Sequence, residues 1–158
     1  MNYSFYKALS AGVCSAMTLL VLAYLESAGN YGMWLMAPFG ATAVLVFGVP
    51  HSPLAKAKNV IIGHFLTALI GVVFVNFVGG DPMSIAVATG LAITAMMLTD
   101  TIHPAAGANP ILIILSGQSW DFLLMPVLLG TVFIVSCGLL SNRVNNKLEQ
   151  YVMHKKTA

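Results

Sequence analysis

The strongest constraint on the fold is an internal repeat, because several segments recur at a gapless shift of about 67 positions. The matching pairs share glycines and apolar runs: Gly40-Ala41 with Gly107-Ala108, Val60-Ile61-Ile62-Gly63 with Val127-Leu128-Leu129-Gly130, and Gly71 with Gly138. The chain is therefore predicted to consist of two related halves. In membrane proteins, short glycine-marked segments at matching positions of two halves point to a transport site.

The composition places the whole chain in a membrane. Hydrophobic residues make up 58% of the 158 residues and charged residues only 8%, whereas soluble domains carry about 25% charged residues. We therefore expect a single transmembrane domain over 1–158, with repeat halves at about 7–78 and 82–141 and a basic cytoplasmic tail at 142–158. The net charge of +2 does not favour nucleic acid as a partner. Cys14 and Cys137 lie inside apolar runs, so no disulfide, metal or cofactor is expected.

The apolar runs predict an all-α integral membrane protein with six crossings, of which the second and the fifth are broken. The runs cover 8–25, 33–49, 60–78, 83–102, 111–115 and 122–140. Pro38 and Gly40 interrupt the second run, and 103–110 contains two prolines that regular helix does not accommodate throughout. Asn59 is a candidate N-cap for the third run.

Charge placement predicts the orientation. With a cytoplasmic N-terminus, every lysine and arginine lies inside: Lys7, Lys56, Lys58, Arg143, Lys147, Lys155 and Lys156. The outer loops then carry only acidic charges, as the positive-inside rule requires. A re-entrant second segment would place Lys56 and Lys58 outside, so six crossings are favoured. Three crossings per half make the halves two inverted repeats, in a membrane expected to be the bacterial inner (plasma) membrane, with both termini cytoplasmic.

The broken segments are too short to cross a bilayer. The stretch 41–49 gives roughly 13 Å of helix, against a hydrocarbon core of about 30 Å. The helix N-termini near Gly40 and Gly107 are thus predicted to approach each other near the midplane, where unpaired N–H groups favour a small anion. The predicted substrate-binding residues are Pro38, Phe39, Gly40, Ala41, Thr42, His103, Pro104, Gly107, Ala108 and Asn109. Alternatively, these glycines only permit close helix packing.

Ionisable residues near the second break are candidates for gating or a proton relay, because such residues inside a membrane are functional by default. The candidates are Asp100, His103 and His64. Asp100 could instead stabilise broken backbone, and His64 could be a packed core histidine. Two ladders of small residues are interpreted as packing surfaces and as candidate contacts of a homo-oligomer: Gly63-Thr67-Gly71 and Ala86-Gly90-Thr94.

Several segments resemble the HPP family of integral membrane proteins: 37–45, 50–55 and 59–64. His103-Pro104-Ala105-Ala106-Gly107-Ala108 resembles the motif that names the family, with Ala105 where the motif has its second proline. The resemblance covers nearly the whole chain. Members in plastids and cyanobacteria are associated with nitrite transport, which implies nitrite or a similar small anion as substrate here.

The sequence thus favours a transporter or channel for a small monovalent anion, with nitrite as the first candidate. Two alternatives remain open: a proton-coupled cation or neutral-solute pathway through Asp100, His103 and His64, and a non-transporting membrane scaffold. An enzyme is not expected, because no metal-ligand or nucleophile–base constellation is visible. The expected partners are a small inorganic anion, the lipid bilayer and further copies of the chain.

Overall fold

The computed structural model describes residues 3–28 and 34–157, and in these ranges it contains helices and short connections but no strand. The helices are α1 Tyr3–Ala28, α2 Ala37–Gly48, α3 Ala57–Phe77, α4 Pro82–Leu98, α5 Pro104–Ser116 and α6 Leu129–Thr157. A short 3₁₀ turn, Pro53–Ala55, precedes α3, and a kinked segment, Leu123–Leu128, leads into α6. The prediction of an all-helical fold is confirmed.

Three helical stretches of the described chain are long and apolar enough to cross a membrane. They are Phe5–Ala28, Ala57–Phe77 and Leu123–Gln150, with mean hydropathies of 1.9, 2.2 and 2.4. The remaining helices α2, α4 and α5 are apolar but shorter. Because a crossing requires about 20 residues, α2 and α5 are each shorter than a full crossing, and we call them half-helices.

Helix α2 begins earlier than predicted. Its N-cap is Met36, which has extended backbone, and Pro38 lies in the first helical turn. Proline suits that turn because its φ is already helical and it has no N–H group to leave unpaired. The helix therefore begins at Ala37, about one turn before Gly40, near which its N-terminus was predicted. Beyond Ala43 the helix widens into a π-helical turn, Val44–Gly48.

Helix α5 begins in the same way in the second half. His103 is its extended N-cap, and Pro104–Ala108 form a tight 3₁₀ turn that continues into regular helix. The prediction that 103–110 is not regular helix throughout is confirmed, because His103 is extended and Pro104–Ala108 are 3₁₀ before regular helix begins at Asn109. The first residues of α2 and α5, Ala37 and Pro104, lie 67 positions apart.

Other boundaries also differ from the predicted ones. Lys56, not Asn59, is the N-cap of α3, and the Asn59 amide instead donates to the carbonyl of Ile102 at 2.9 Å. Helix α4 ends at Leu98, and α6 continues as helix to Thr157 through the predicted tail. At the start of α4, Asp81 accepts the N–H groups of Met83 and Ser84, as a helix cap does.

Glycines let the long helices pack against the half-helices. A Cβ atom on Gly71 of α3 would lie 3.1 Å from Cβ of Ile113 in α5, and one on Gly138 of α6 would overlap the side chain of Val46 in α2. Gly71 and Gly138 lie 67 positions apart, as do Val46 and Ile113. Each long helix therefore packs against the half-helix of the other half.

Polar contacts gather the basic segments at one end of the bundle. The Ser10 hydroxyl of α1 donates to Asn145 of α6 at 2.8 Å, and the Asn142 amide donates to the carbonyl of Val46 at 3.3 Å. Lys58, in the first turn of α3, lies 3.8 Å from Asp100 behind α4. The N-terminal part of α1 therefore contacts α6, and Asn142 of α6 lines the same cavity as Lys56.

Candidate functional site

Five fully buried polar side chains form a cluster where α2, α3 and the start of α5 meet. They are Thr42, His64, Thr67, His103 and Asn109, each with 0% of its surface exposed. Burying polar groups is unfavourable unless they are hydrogen-bonded, and each of the five has at least one partner here. We call this set the polar cluster.

Thr42 lies at the centre of the polar cluster. Its Oγ1 atom is 2.8 Å from Nε2 of His64 and 3.0 Å from Nε2 of His103. The same oxygen is 3.1 Å from the carbonyl oxygen of Pro38, one turn earlier in α2. One hydroxyl therefore joins both imidazoles to the backbone of α2. The two imidazole centroids are 5.1 Å apart.

Asn109 holds the opposite side of His64. Its Nδ2 atom is 3.0 Å from Nδ1 and from the carbonyl oxygen of His64, and also 3.0 Å from Oγ1 of Thr67. The Thr67 hydroxyl itself donates to the carbonyl of Gly63 at 2.9 Å. In contrast, Oδ1 of Asn109 is buried without a hydrogen-bond partner. The cluster thus contains one unused acceptor.

His103 reaches the cluster from the connection between α4 and α5. Its Nδ1 atom is 2.9 Å from the carbonyl oxygen of Leu54. This approach depends on Gly63, where a Cβ atom would lie 2.8 Å from the carbonyl oxygen of Thr101 and 3.2 Å from Cβ of His103. Phe39 contacts His64 edge-on, with centroids 5.6 Å apart, and forms an apolar wall beside the imidazole.

Asp100 does not join the polar cluster. Its side chain is 98% exposed and forms an ion pair with Lys58, and its φ of 52° turns the chain at the end of α4. The structure therefore brings His64 and His103 together but places Asp100 at the surface. A relay that includes Asp100 stays a prediction.

The two Gly-Ala steps also lie outside the cluster. Gly40, Ala41, Pro104 and Ala108 are exposed and Gly107 is half-buried, and a Cβ atom on either glycine would meet nothing within 4 Å. Pro38 and Phe39 are buried. Of the ten predicted substrate-binding residues, only Thr42, His103 and Asn109 bring their side chains into the polar cluster.

Thr67 is the cluster member that the sequence analysis interpreted only as a packing residue. It lies three residues after His64 on α3, and this spacing places both side chains on one helix face. A second signal is the repeat itself, because Thr42 and Asn109 lie 67 positions apart. Both are polar residues two positions after the repeated glycine, and both contact His64.

The side chains of the polar cluster are hydroxyls, an amide and imidazoles. Within the described residues, no group of three or more histidine, cysteine or acidic side chains could hold a metal ion. The chemistry available to the cluster is hydrogen bonding to a small polar species and proton binding by imidazole.

Comparison with known proteins identifies the family. The model of the HPP transmembrane region matches residues 1–151. Two transmembrane proteins of Dictyostelium discoideum are each 32% identical to the chain, one over 87% of this chain and 51% of its own length, the other over 83% and 45%. The chain thus spans about half the length of these curated relatives. No solved structure matches it significantly. The chain is therefore a membrane protein that belongs to the HPP family.

Proposed function

We propose that the protein is a transporter or channel for a small monovalent anion, with nitrite as the first candidate, and that the anion passes the polar cluster. The observation that carries this proposal is the buried hydroxyl, amide and imidazole set between two half-helices. In a membrane, irregular backbone and polar groups at depth occur where they are buried in protein or line a pathway. Half-helices at matching repeat positions mark the binding site in many transporters.

The same observations support six segments arranged as two inverted repeats. The half-helices start 67 positions apart, and the contacts of Gly71 with Ile113 and of Gly138 with Val46 correspond under that shift. With the lysine-bearing end in the cytoplasm, both termini are cytoplasmic, in a membrane that we propose to be a bacterial plasma membrane. Labelling of a Ser52→Cys variant by an impermeant external reagent would contradict this topology.

We expect side chains, more than helix N-termini, to bind the anion. The first-turn N–H groups of Phe39 and Ala106 already donate to the carbonyls of Met36 and His103. The remaining donors are the Thr42 hydroxyl, the Asn109 amide and the imidazole N–H groups. Each of them contacts a partner within the cluster, so an anion has to replace one of these internal hydrogen bonds. Because all of these donors are neutral in the resting cluster, we expect weak binding, which suits conduction.

A lysine beside a cavity supports an anion as the substrate, and we propose this cavity as one mouth of the pathway. A cavity of about 280 Å³ lies at the basic end of the bundle, and its lining includes Lys56, Pro50, Val46 and Asn142. A positive charge at a mouth raises the local concentration of anions. Lys56 is therefore proposed to attract the substrate before it reaches the polar cluster.

A second candidate is a proton-coupled pathway for a cation or a neutral solute. It is favoured by Oδ1 of Asn109, which is buried without a partner and can only accept a hydrogen bond. Ammonium or a neutral amide would supply the missing donor, whereas nitrite would not. Competition experiments separate the two candidates.

We also propose that copies of the chain associate in the membrane. The ladder Gly63-Thr67-Gly71 is buried within the protomer, whereas Ala86, Gly90 and Thr94 are exposed on α4, and a Cβ atom on Gly90 would meet nothing within 4 Å. Small residues on a lipid-facing surface allow helices of two copies to approach closely.

The test is nitrite uptake by proteoliposomes that contain the purified protein. We expect uptake above that of empty vesicles, competition by other small monovalent anions, and no competition by ammonium or urea. Lys56→Gln is expected to slow uptake about two- to tenfold at low ionic strength, since steering by charge is screened by salt. Lys58→Gln, two residues later in the first turn of α3 and paired with Asp100, is the matched control. Absence of nitrite uptake at several pH values would rule out this substrate.

A further inference from the structure

We infer that the polar cluster binds one excess proton at Nε2 of His103, and that the Thr42 hydroxyl is the switch that accommodates it. The site is the one described above, so a role of this proton in coupled transport rests on the proposed function. The binding of the proton itself does not, because it follows from which atoms can donate and accept hydrogen bonds.

The neutral state of His103 is fixed by Leu54. A carbonyl oxygen can only accept a hydrogen bond, so the 2.9 Å contact with the Leu54 carbonyl requires a hydrogen on Nδ1 of His103. In neutral His103, Nε2 then carries a lone pair. That lone pair lies 3.0 Å from Oγ1 of Thr42, so Thr42 donates its single hydrogen to His103.

The neutral state of His64 follows from the same hydroxyl. Having donated to His103, Thr42 can only accept at its 2.8 Å contact with Nε2 of His64, so this nitrogen carries a hydrogen. Nδ1 of His64 then carries a lone pair and accepts from Nδ2 of Asn109 at 3.0 Å. The neutral cluster is one directed chain from Asn109 through His64, Thr42 and His103 to the Leu54 carbonyl, and the two histidines are opposite tautomers.

The cluster has room for one more proton without losing a hydrogen bond. A hydronium ion gives its proton to the lone pair on Nε2 of His103, a new N–H bond forms, and water leaves with the electron pair of the broken O–H bond. The new N–H donates to Oγ1 of Thr42, whose hydrogen rotates to the Pro38 carbonyl 3.1 Å away. Thr42 then accepts from both imidazoles and donates once, which uses its full hydrogen-bonding capacity.

His64 cannot take this proton in the same geometry. Its free position, Nδ1, faces the donor Nδ2 of Asn109, and a proton there would place two donors against each other. Turning the Asn109 amide would exchange Nδ2 for Oδ1 and bring that oxygen against the His64 carbonyl oxygen, which Nδ2 now contacts at 3.0 Å. The excess proton is therefore assigned to His103.

The groups around His103 are compatible with an excess proton on its imidazole. Among the described residues, the ionisable side chain in contact with it is His64 of α3. Helix α2 contributes the Thr42 hydroxyl, and the turn before α3 contributes the Leu54 carbonyl. The charges of Asp100 and Lys58, near the end of α4 and the start of α3, form an exposed pair at the surface.

The test is the ¹⁵N spectrum of protein labelled with ¹⁵N-histidine in lipid nanodiscs, recorded from high to low pH. His64→Gln and His103→Gln assign the signals, and the exposed His51 provides a solvent reference. At high pH we expect a hydrogen on Nε2 of His64 and on Nδ1 of His103. On acidification, His103 is expected to become doubly protonated while His64 stays neutral. The opposite tautomers, or first protonation of His64, would overturn the inference.

Variants at Thr42 test the switch. Thr42→Ser keeps the hydroxyl and is expected to keep the titration of His103. Thr42→Val is expected to abolish the doubly protonated form at the pH at which wild type and Thr42→Ser show it, and an unchanged titration would exclude the switch. Thr131→Val is the matched control, because Thr131 is equally buried but donates to Val127 of its own helix at 2.7 Å. If Thr42→Val does not fold, the inference is tested by the tautomers of His64 and His103 in the wild-type protein.

Failure of this inference can be told apart from failure of the proposed function. The expected tautomers in a protein without nitrite uptake would leave the proton site standing and remove the transport proposal. Nitrite uptake by a protein with the opposite tautomers would support the transport proposal and rule out the proton site.

Discussion

Helices α3 and α6 occupy corresponding places in the two halves, yet only α3 contributes to the polar cluster. Both pack through a repeated glycine against the half-helix of the other half. At the position of His64 in α3, however, α6 has Thr131, which donates to its own backbone, and at the position of Thr67 it has Ile134. The glycines that match under the shift make the packing contacts, whereas the positions at which α3 and α6 differ provide the polar side chains of the cluster.

The two half-helices also have different polar side chains at corresponding positions. Thr42 of α2 and Asn109 of α5 correspond under the shift of 67, and they contact the two different nitrogens of one imidazole, that of His64. The repeat thus supplies two polar side chains from opposite directions. The imidazole of His64 on α3 contacts both side chains, whereas α6 has Thr131 at the corresponding position.

The largest effect is expected from removing the shared imidazole. His64→Leu removes the imidazole contacts of Thr42 and Asn109, and each lost buried hydrogen bond costs about 0.5–1.5 kcal/mol, although both side chains keep other partners. Thr131→Leu, at the corresponding position of α6, strands no partner side chain. Unfolding in detergent monitored by helical circular dichroism measures the difference. Equal destabilisation by the two variants would contradict the asymmetry between α3 and α6.

A second, smaller effect tests the packing that the halves share. Gly138→Ala is expected to destabilise the protein by about 1–3 kcal/mol, as overpacking does, because its methyl group would overlap Val46. Adding Val46→Ala is expected to recover most of that loss, whereas combining Gly138→Ala with Ile113→Ala is not. A double-mutant cycle measures the coupling, and additive effects for the Gly138–Val46 pair would show that the contact is not made.

The smallest effects are expected at two aspartates that lie outside the cluster. Hydrogen bonds from Ser84 and Met83 hold the pKa of Asp81 below its ordinary value. The folded-state pKa is lower than the unfolded one, so this contribution is present above about pH 4 and is lost as the pH falls through the folded pKa. Asp81→Asn should therefore flatten the stability profile in that acidic range.

Asp100→Asn provides the contrast, because Asp100 forms only an exposed ion pair. We expect its effect on stability to stay within about 0.5 kcal/mol. Unfolding of both variants between neutral and acidic pH measures the difference. A large loss with Asp100→Asn would mean that this aspartate acts on the cluster after all.

The sequence predicted the helical class and the centres of the helices, because hydrophobic runs are local signals, whereas the two inverted halves stay a prediction. It predicted half-helix starts near Gly40 and Gly107, whereas the first helical residues are Ala37 and Pro104, because Pro38 and Pro104 fit the first turn. Thr42, His103 and Asn109 were predicted to bind the substrate, and His64 was predicted to gate or relay protons together with His103. These side chains form one cluster because Gly63 lets the backbone before α5 pack closely against α3, which the sequence does not show. Asp100 lies at the surface because α4 ends at Leu98, four residues earlier than predicted.

The most direct test of the central claim compares nitrite uptake by Thr42→Val and by Thr131→Val in matched proteoliposomes. Both substitutions remove a buried threonine hydroxyl, but only Thr42 belongs to the polar cluster. We predict that Thr42→Val loses uptake at least about tenfold, which corresponds to about 1.4 kcal/mol of lost stabilisation, while Thr131→Val stays close to wild type. Equal uptake by the two variants at equal incorporation would contradict a pathway through the polar cluster.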